Sequence, residues 1–255
     1  LTDITLPSTI SGLSATLFDG CSNLETSVGS ENNPYYTTLA GVLCEIDQVT
    51  HQPNKLVYFP KGRGGEYTIP VGITTIGANA FYNCENITKV IIPGYVTLIE
   101  EQAFYSCGDL AEIEFTGRST DGDLEIGTKA FYSCTSLTSV TLPPNLKTLR
   151  KFAFGGNSKL VTVTANCDRP TLEFETYAFH TDNTSYTGYV VTLNLGPNMA
   201  VVDINGVFGS SKLVSVNVDP ANDFYTSIDG VLFDKAVLNL VYFPTGIVGE
   251  YTIPD

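Results

Sequence analysis

One short phrase, Ala-Phe-Tyr-Xaa-Cys, constrains this chain more than any other feature. It occurs as Ala80-Phe81-Tyr82-Asn83-Cys84, as Ala103-Phe104-Tyr105-Ser106-Cys107 and as Ala130-Phe131-Tyr132-Ser133-Cys134. Looser copies stand at Ala153-Phe154-Gly155-Gly156, Ala178-Phe179-His180, Val207-Phe208-Gly209-Ser210 and Leu17-Phe18-Asp19-Gly20-Cys21, so anchor phenylalanines run through positions 18, 81, 104, 131, 154, 179 and 208. The shortest interval is 23 residues. A period of that size means that no unit can bury its own apolar face, and each must stack on its neighbours.

The residues around the anchors set the form of a unit. Leu1-Thr2-Asp3-Ile4-Thr5-Leu6-Pro7 has the pattern of Leu137-Thr138-Ser139-Val140-Thr141-Leu142-Pro143. Alternation predicts a strand with Ile4 and Leu6 inward, closed by a proline that lacks an amide donor. The proline precedes an anchor by 11 residues at Pro7, Pro70, Pro93, Pro143 and Pro197. Between them lies an apolar pair, such as Ile73 and Ile76, Val96 and Ile99, or Leu146 and Leu149, read as a second short strand. Six residues after the anchor, Leu24, Ile87, Leu110, Leu137 and Leu160 open the next coil. One coil is thus strand, corner, short strand and a tight turn or single helical turn. Stacked coils form parallel ladders, with the anchor rings in one internal stack.

With these positions in place, residues 87–110 read LxxVxIPxxVTxIGxxAFxxCxxL, which resembles the 23-residue leucine-rich repeat of BspA-like bacterial surface proteins. Pro93, Ile99, Ala103, Phe104, Cys107 and Leu110 carry the match. The coils at Phe154 and Phe179 lack the Cys, and Val207 replaces the Ala. The resemblance implies a β-rich leucine-rich-repeat solenoid, exported or at the cell surface, that mediates adhesion or recognition of host or neighbouring-cell macromolecules, protein or glycan. A structural spacer with no ligand of its own is the alternative.

Residues 1–255 read as a single solenoid, a fragment of a longer array, with a duplicated insertion. Residues 28–66 interrupt the first full repeat and 218–250 resemble them: Gly41-Val42-Leu43 matches Gly230-Val231-Leu232, Leu56-Val57-Tyr58-Phe59-Pro60 matches Leu240-Val241-Tyr242-Phe243-Pro244, and Gly65-Glu66-Tyr67-Thr68-Ile69-Pro70 matches Gly249-Glu250-Tyr251-Thr252-Ile253-Pro254. Each reads as a β-hairpin packed on the coils. Smaller insertions fall at 116–123, 166–171 and 180–189.

Composition narrows the partner. A net charge of −14, from 27 acidic and 13 basic residues, disfavours nucleic acid, whose phosphates need Lys and Arg. No apolar run is long enough for a transmembrane helix. Cys21, Cys84, Cys107 and Cys134 each follow an anchor by three residues, which reads as a buried small-residue slot with free thiols. Without a CxxC pair no zinc site is expected, and no cofactor is called for. His51 and His180 read as surface residues, and no HExxH, GxSxG or P-loop motif is present, so no enzyme is expected. Ser119-Thr120-Asp121-Gly122-Asp123-Leu124-Glu125 could wrap calcium, but without EF-hand spacing it reads as a solvated acidic loop. Two surfaces remain as candidates for binding. Tyr82, Tyr105 and Tyr132 should form a stripe, either a contact surface or packing between coils. The outward strand positions, including Lys89, Glu112, Glu114, Thr141 and Thr164, form the second.

Overall fold

The computed structural model describes residues 2–13, 15–18, 20–29, 32–117, 122–168, 172–180, 190–200, 203–208 and 213–254. Its coils stack as the period requires. Long strands Gly65–Thr68, Ile87–Pro93 and Glu112–Thr116 pair in parallel, and Ser139–Leu142, Thr162–Ala165, Thr192–Leu195 and Ser215–Val218 form a second parallel ladder. Short strands Thr75–Ile76, Leu98–Ile99, Leu124–Ile126, Leu146–Leu149 and Glu173–Phe174 run along another side in one continuous sheet. Inward residues such as Val90, Val140 and Val163 and the apolar pairs of the short strands are buried in a shared core.

The anchors form an aromatic column, with one correction to its membership. Phe81, Phe104, Phe131, Phe154, Phe179 and Phe208 stack at centroid distances of 4.4, 4.8, 5.1, 5.3 and 4.8 Å. The ring that heads the column is Phe59, 4.6 Å from Phe81. Phe18 lies outside it, tilted against Tyr58 at 4.5 Å in a separate apolar cluster with Leu6, Leu24 and Leu43. The cause is the first insertion: its strand Pro53–Tyr58 occupies a short-strand place, pairing in parallel with Thr75–Ile76, so the next residue falls at the corner.

At each corner the backbone does something the period alone does not reveal. The residue two before the anchor, Asn79, Gln102, Lys129, Phe152 or Tyr177, has φ between 55° and 65°. The residue two after it, Asn83, Ser106, Ser133 or Gly156, is also left-handed. This conformation costs a non-glycine residue about 1 kcal/mol or more, offset here by hydrogen bonds between coils. The amides of Phe59, Phe81, Phe104, Phe131 and Phe154 donate to the carbonyls of Ala80, Ala103, Ala130, Ala153 and Ala178 at 2.7–2.8 Å, and the residues on either side repeat the pattern. Among the described residues, helical turns lead into the anchor at two coils, a 3₁₀ turn at Ala15–Phe18 and an α turn at Ile204–Phe208.

The slot three residues after the anchor requires a small donor as well as burial. The thiols of Cys84, Cys107 and Cys134 point at the carbonyls of Phe59, Phe81 and Phe104, at 3.8, 3.0 and 3.3 Å. In the coil without Cys, Asn157 fills the slot and its amide donates to Phe131 and Phe154. The six cysteines are free, and all but Cys21 are buried. Burial pushes the Cys44 and Cys167 thiols up to about 12, and Cys84 and Cys107 well above their ordinary value. Because the thiolate is the reactive form, a disulfide-exchange reagent at pH 8 should titrate one thiol, Cys21, in the native protein and all six in denaturant. The raised values also mean that stability is full below about pH 9 and falls as pH rises towards 12. Rapid reaction of more than one native thiol would contradict the packing.

Both insertions are three-stranded antiparallel meanders, one strand more than the hairpins read from sequence. The first comprises Tyr36–Leu39, Val42–Ile46 and Pro53–Tyr58, and the second Tyr225–Ile228, Val231–Asp234 and Leu240–Tyr242. A buried asparagine latches each to the preceding coil. Asn33 donates to the carbonyls of Pro7 and Ile10 and accepts from the amides of Tyr35 and Tyr36. Asn222 repeats this with Gly196, Met199, Phe224 and Tyr225.

Candidate functional site

The tyrosine stripe exists, and it is a packed column. Tyr82, Tyr105 and Tyr132 stack at 5.2 and 5.3 Å with ring planes 7° and 8° apart, because successive coils place them one above another outside the Phe column. Tyr82 and Tyr105 are half-buried and Tyr132 is only 8% exposed. Lys61 covers one end, 5.6 Å from the Tyr82 centroid, and Lys129 lies 5.1 Å from that of Tyr132. At the far end the Tyr slot holds Gly155. A Cβ there would meet the His180 carbonyl oxygen at 2.1 Å and the Tyr132 ring at 3.0 Å, so glycine is what lets the next coil close over the ring. Little of the stripe's aromatic area is left for a partner.

The outward strand face is more open. Lys89 is paired through the ladder with Glu112, and its ammonium lies 2.8 Å from the Glu112 carboxylate and 2.6 Å from that of Glu114. The hydrogen bonds that the Lys89 ammonium donates to Glu112 and then Glu114 push its pKa above its ordinary value. Exposed pairs of this kind add little stability, but they fix where two carboxylates and one ammonium stand. Across the second ladder, Thr141, Thr164, Asn194 and Asn217 lie in register. The Asn194 amide donates to the Thr164 hydroxyl at 3.2 Å, and the Asn217 amide donates to Asn194 at 2.9 Å. The face therefore changes from charged to neutral along its length.

Between the two halves the ladder opens, where the repeat pattern alone predicts continuous pairing. Glu112–Thr116 and Ser139–Leu142 are neighbouring long strands that belong to separate sheets. Glu112–Thr116 ends at Gly117 (φ 75°), and Pro143 and Pro144 offer no amides across the gap. The result is a groove of about 520 Å³ lined by Glu112, Glu114, Phe115, Ser139, Thr141 and Pro143. It brings Glu112, Glu114 and Thr141 together. Lys89 holds the two carboxylates from the far side, while Thr164 stands one strand beyond Thr141. Sequence reasoning picked these side chains by their outward parity, and missed the groove because an edge left unpaired has no residue signature of its own.

Other candidates resolve differently. Residues 119–121 of the acidic loop lie outside the described residues. Of the rest, Asp123 pairs with Lys147 at 3.5 Å and Glu125 with Arg150 at 2.8 Å. Arg150 also holds Glu175 at 2.9 Å; burial opposes ionisation of Glu175, but the Arg150 hydrogen bond and the Lys151 amide outweigh it and lower its pKa. Among the described residues no cluster of His, Cys, Asp and Glu could hold a metal ion, and no helix is long and apolar enough to cross a membrane. His51 is exposed in a turn and His180 half-buried beside Tyr177.

Parallel ladders, near-absence of helix and an internal aromatic column define a β-solenoid repeat protein. The chain belongs to the BspA-type leucine-rich repeat family, whose repeat region matches in six copies across residues 58–187, just over half of the sequence. It is similar in structure to the pneumococcal vaccine antigen PcpA, with a TM-score of 0.66 and 20% identity over 89% of this chain and 56% of that one. A leucine-rich cell surface protein from Faecalibacterium prausnitzii matches at TM-score 0.55 and 24% identity, over 74% of this chain and 51% of that one. A leucine-rich repeat protein from Eubacterium ventriosum matches at TM-score 0.50 and 19% identity, covering 91% and 63%. The chain thus spans about half the length of the first two. No curated protein matches it in sequence. The family is one of repeat modules built for protein interaction rather than catalysis.

Proposed function

We propose that the protein is an extracellular or cell-surface recognition module that adheres to a protein partner through the outward face of its long strands, centred on the groove between Glu112–Thr116 and Ser139–Leu142. The observation that carries this reading is the groove itself. It sets the Glu112 and Glu114 carboxylates beside Ser139 and Thr141 on a chain of net charge −14. That chemistry suits an extended segment bearing Lys or Arg. The cell-surface location is supported by the family and by the likeness to the cell surface protein from Faecalibacterium prausnitzii.

The test is a screen of the protein against immobilised extracellular-matrix proteins and glycans at physiological salt, alongside a Glu112→Lys, Glu114→Lys, Thr141→Arg variant. The expected result is saturable binding that weakens with salt and drops at least about tenfold in the variant. Binding that survives the three changes would remove the groove from the site. A packed tyrosine column favours the second reading, a spacer that binds nothing, and an absence of any saturable ligand would support it.

A further inference from the structure

The corner that carries the tyrosine stripe changes its chemistry past Tyr132. Residues 126–167 include five basic side chains, Lys129, Lys147, Arg150, Lys151 and Lys159, and no Asp or Glu, on a chain of net charge −14. Lys147 and Arg150 pair with Asp123, Glu125 and Glu175 beside the short strands. Lys129 and Lys151 stand at the corner instead, among rings. The Lys129 ammonium lies 5.1 Å from the Tyr132 centroid and 5.6 Å from that of Phe152. The Lys151 ammonium lies 5.0 Å from the Phe152 centroid and 5.8 Å from that of Tyr177. Phe152 and Tyr177 stack on each other at 6.2 Å with planes 18° apart, and His180 tilts against Tyr177 at 5.6 Å. Rings and ammonium groups therefore alternate along three successive coils.

The rings of Phe152 and Tyr177 sit where neither the backbone nor the core asks for them. They occupy the left-handed place two before the anchor, which Asn79 and Gln102 fill in earlier coils. Asparagine tolerates that conformation, whereas a bulky aromatic residue is an outlier there; Phe152 and Tyr177 hold φ 57° and 65°. The core gains little in return, because the anchors Phe154 and Phe179 fill it, while Phe152 is half-buried and Tyr177 is 43% exposed. Backbone strain kept for the sake of a solvated ring points to a use for that ring.

We propose that Lys129, Phe152, Lys151, Tyr177 and His180 form a binding site for an anionic glycan, a polymer of pyranose rings bearing carboxylate or sulfate groups. The flat aromatic faces take the C–H faces of the sugars, and the ammonium groups beside them pair with the acidic substituents. An acidic peptide suits the corner less well, because it offers no main-chain ladder: the amides of Lys129, Phe152 and Tyr177 donate to the carbonyls of Lys151, Tyr177 and Gly206 in the coil that follows each. The site stands apart from the acidic groove, at the corner rather than on the long strands, and takes a partner of the opposite charge.

The test is titration of the protein at low salt with hyaluronan, chondroitin sulfate and dextran fragments of equal length, and with polyglutamate as the control for charge alone. Hyaluronan or chondroitin sulfate should bind saturably, and dextran and polyglutamate at least about tenfold more weakly. Hyaluronan carries carboxylates alone, so either preference supports the site and identifies the acidic group it takes. Lys151→Gln, a change at an exposed side chain, should weaken binding several-fold and flatten its dependence on salt. Phe152→Asn combined with Tyr177→Asn should weaken binding at least about tenfold while leaving the thermal midpoint unchanged or raised, since asparagine suits the backbone there. Glycan binding that survives the loss of both rings or of Lys151 would overturn the proposal. So would polyglutamate bound as tightly as the glycans, or no saturable binding of either acidic glycan.

Discussion

Replacing Phe104 by Ala is expected to cost the solenoid about 3–5 kcal/mol, measured by denaturant unfolding. The ring is fully buried, with Phe81 4.4 Å away on one side and Phe131 4.8 Å away on the other, so truncation removes two stacks and leaves a cavity between coils. Because a coil contacts only its neighbours, the damage should be divisive. Amide exchange should accelerate first at Leu98–Ile99 and Leu124–Ile126, and the unfolding transition should be broader than that of the parent. Tyr105→Ser, one residue on and half-buried, should cost less, about 1–2 kcal/mol. Should both substitutions cost the same, the Phe column would not be the element that ties the coils together.

Asn222→Ala should detach the second meander at a cost of about 2–4 kcal/mol, because one wholly buried amide serves four backbone groups. It leaves the carbonyls of Gly196 and Met199 and the amides of Phe224 and Tyr225 without that partner. Asn222→Asp should be nearly as harmful, since it keeps the acceptor, loses both donated bonds and buries a charge. The readout is local: protection lost across Tyr225–Ile228 and Val231–Asp234, with the coils from Phe81 to Phe154 unchanged. Loss spread evenly over the whole chain would show that the latch belongs to the global core instead.

Much of this architecture was legible because it repeats. Anchor spacing located the corners, the proline offset located the long strands, and apolar pairs located the short ones. What stayed hidden depends on one residue doing another's work. Phe59 takes a corner position without an Ala-Phe phrase, since a meander strand delivers it there. Asn157 replaces Cys134's type, which makes sense only once the slot is known to need a donor to a carbonyl. The latch asparagines sit in aligned positions of the two insertions, so Asn33 and Asn222 could have been paired from sequence, but nothing there says what they bond. For the candidate site, outward parity gave the side chains, whereas the break in the ladder shows only in the strand pairing.

The backbone hydrogen bonds of the anchor peptides run in one direction. In the Ala103-Phe104 peptide the carbonyl accepts from the coil before and the amide donates to the coil after, and the same holds at Ala80-Phe81, Ala130-Phe131 and Ala153-Phe154. Peptide dipoles therefore add head to tail along the solenoid axis, as they do along a helix, and each bond polarises the next. The column of anchor peptides thus has its negative pole towards Phe59 and its positive pole towards Phe208. Lys61 and Arg63, held over rings at the Phe59 end, stand at the pole that favours cations. An array of such coils is thus polar as well as long, and a charged partner meets two unlike ends.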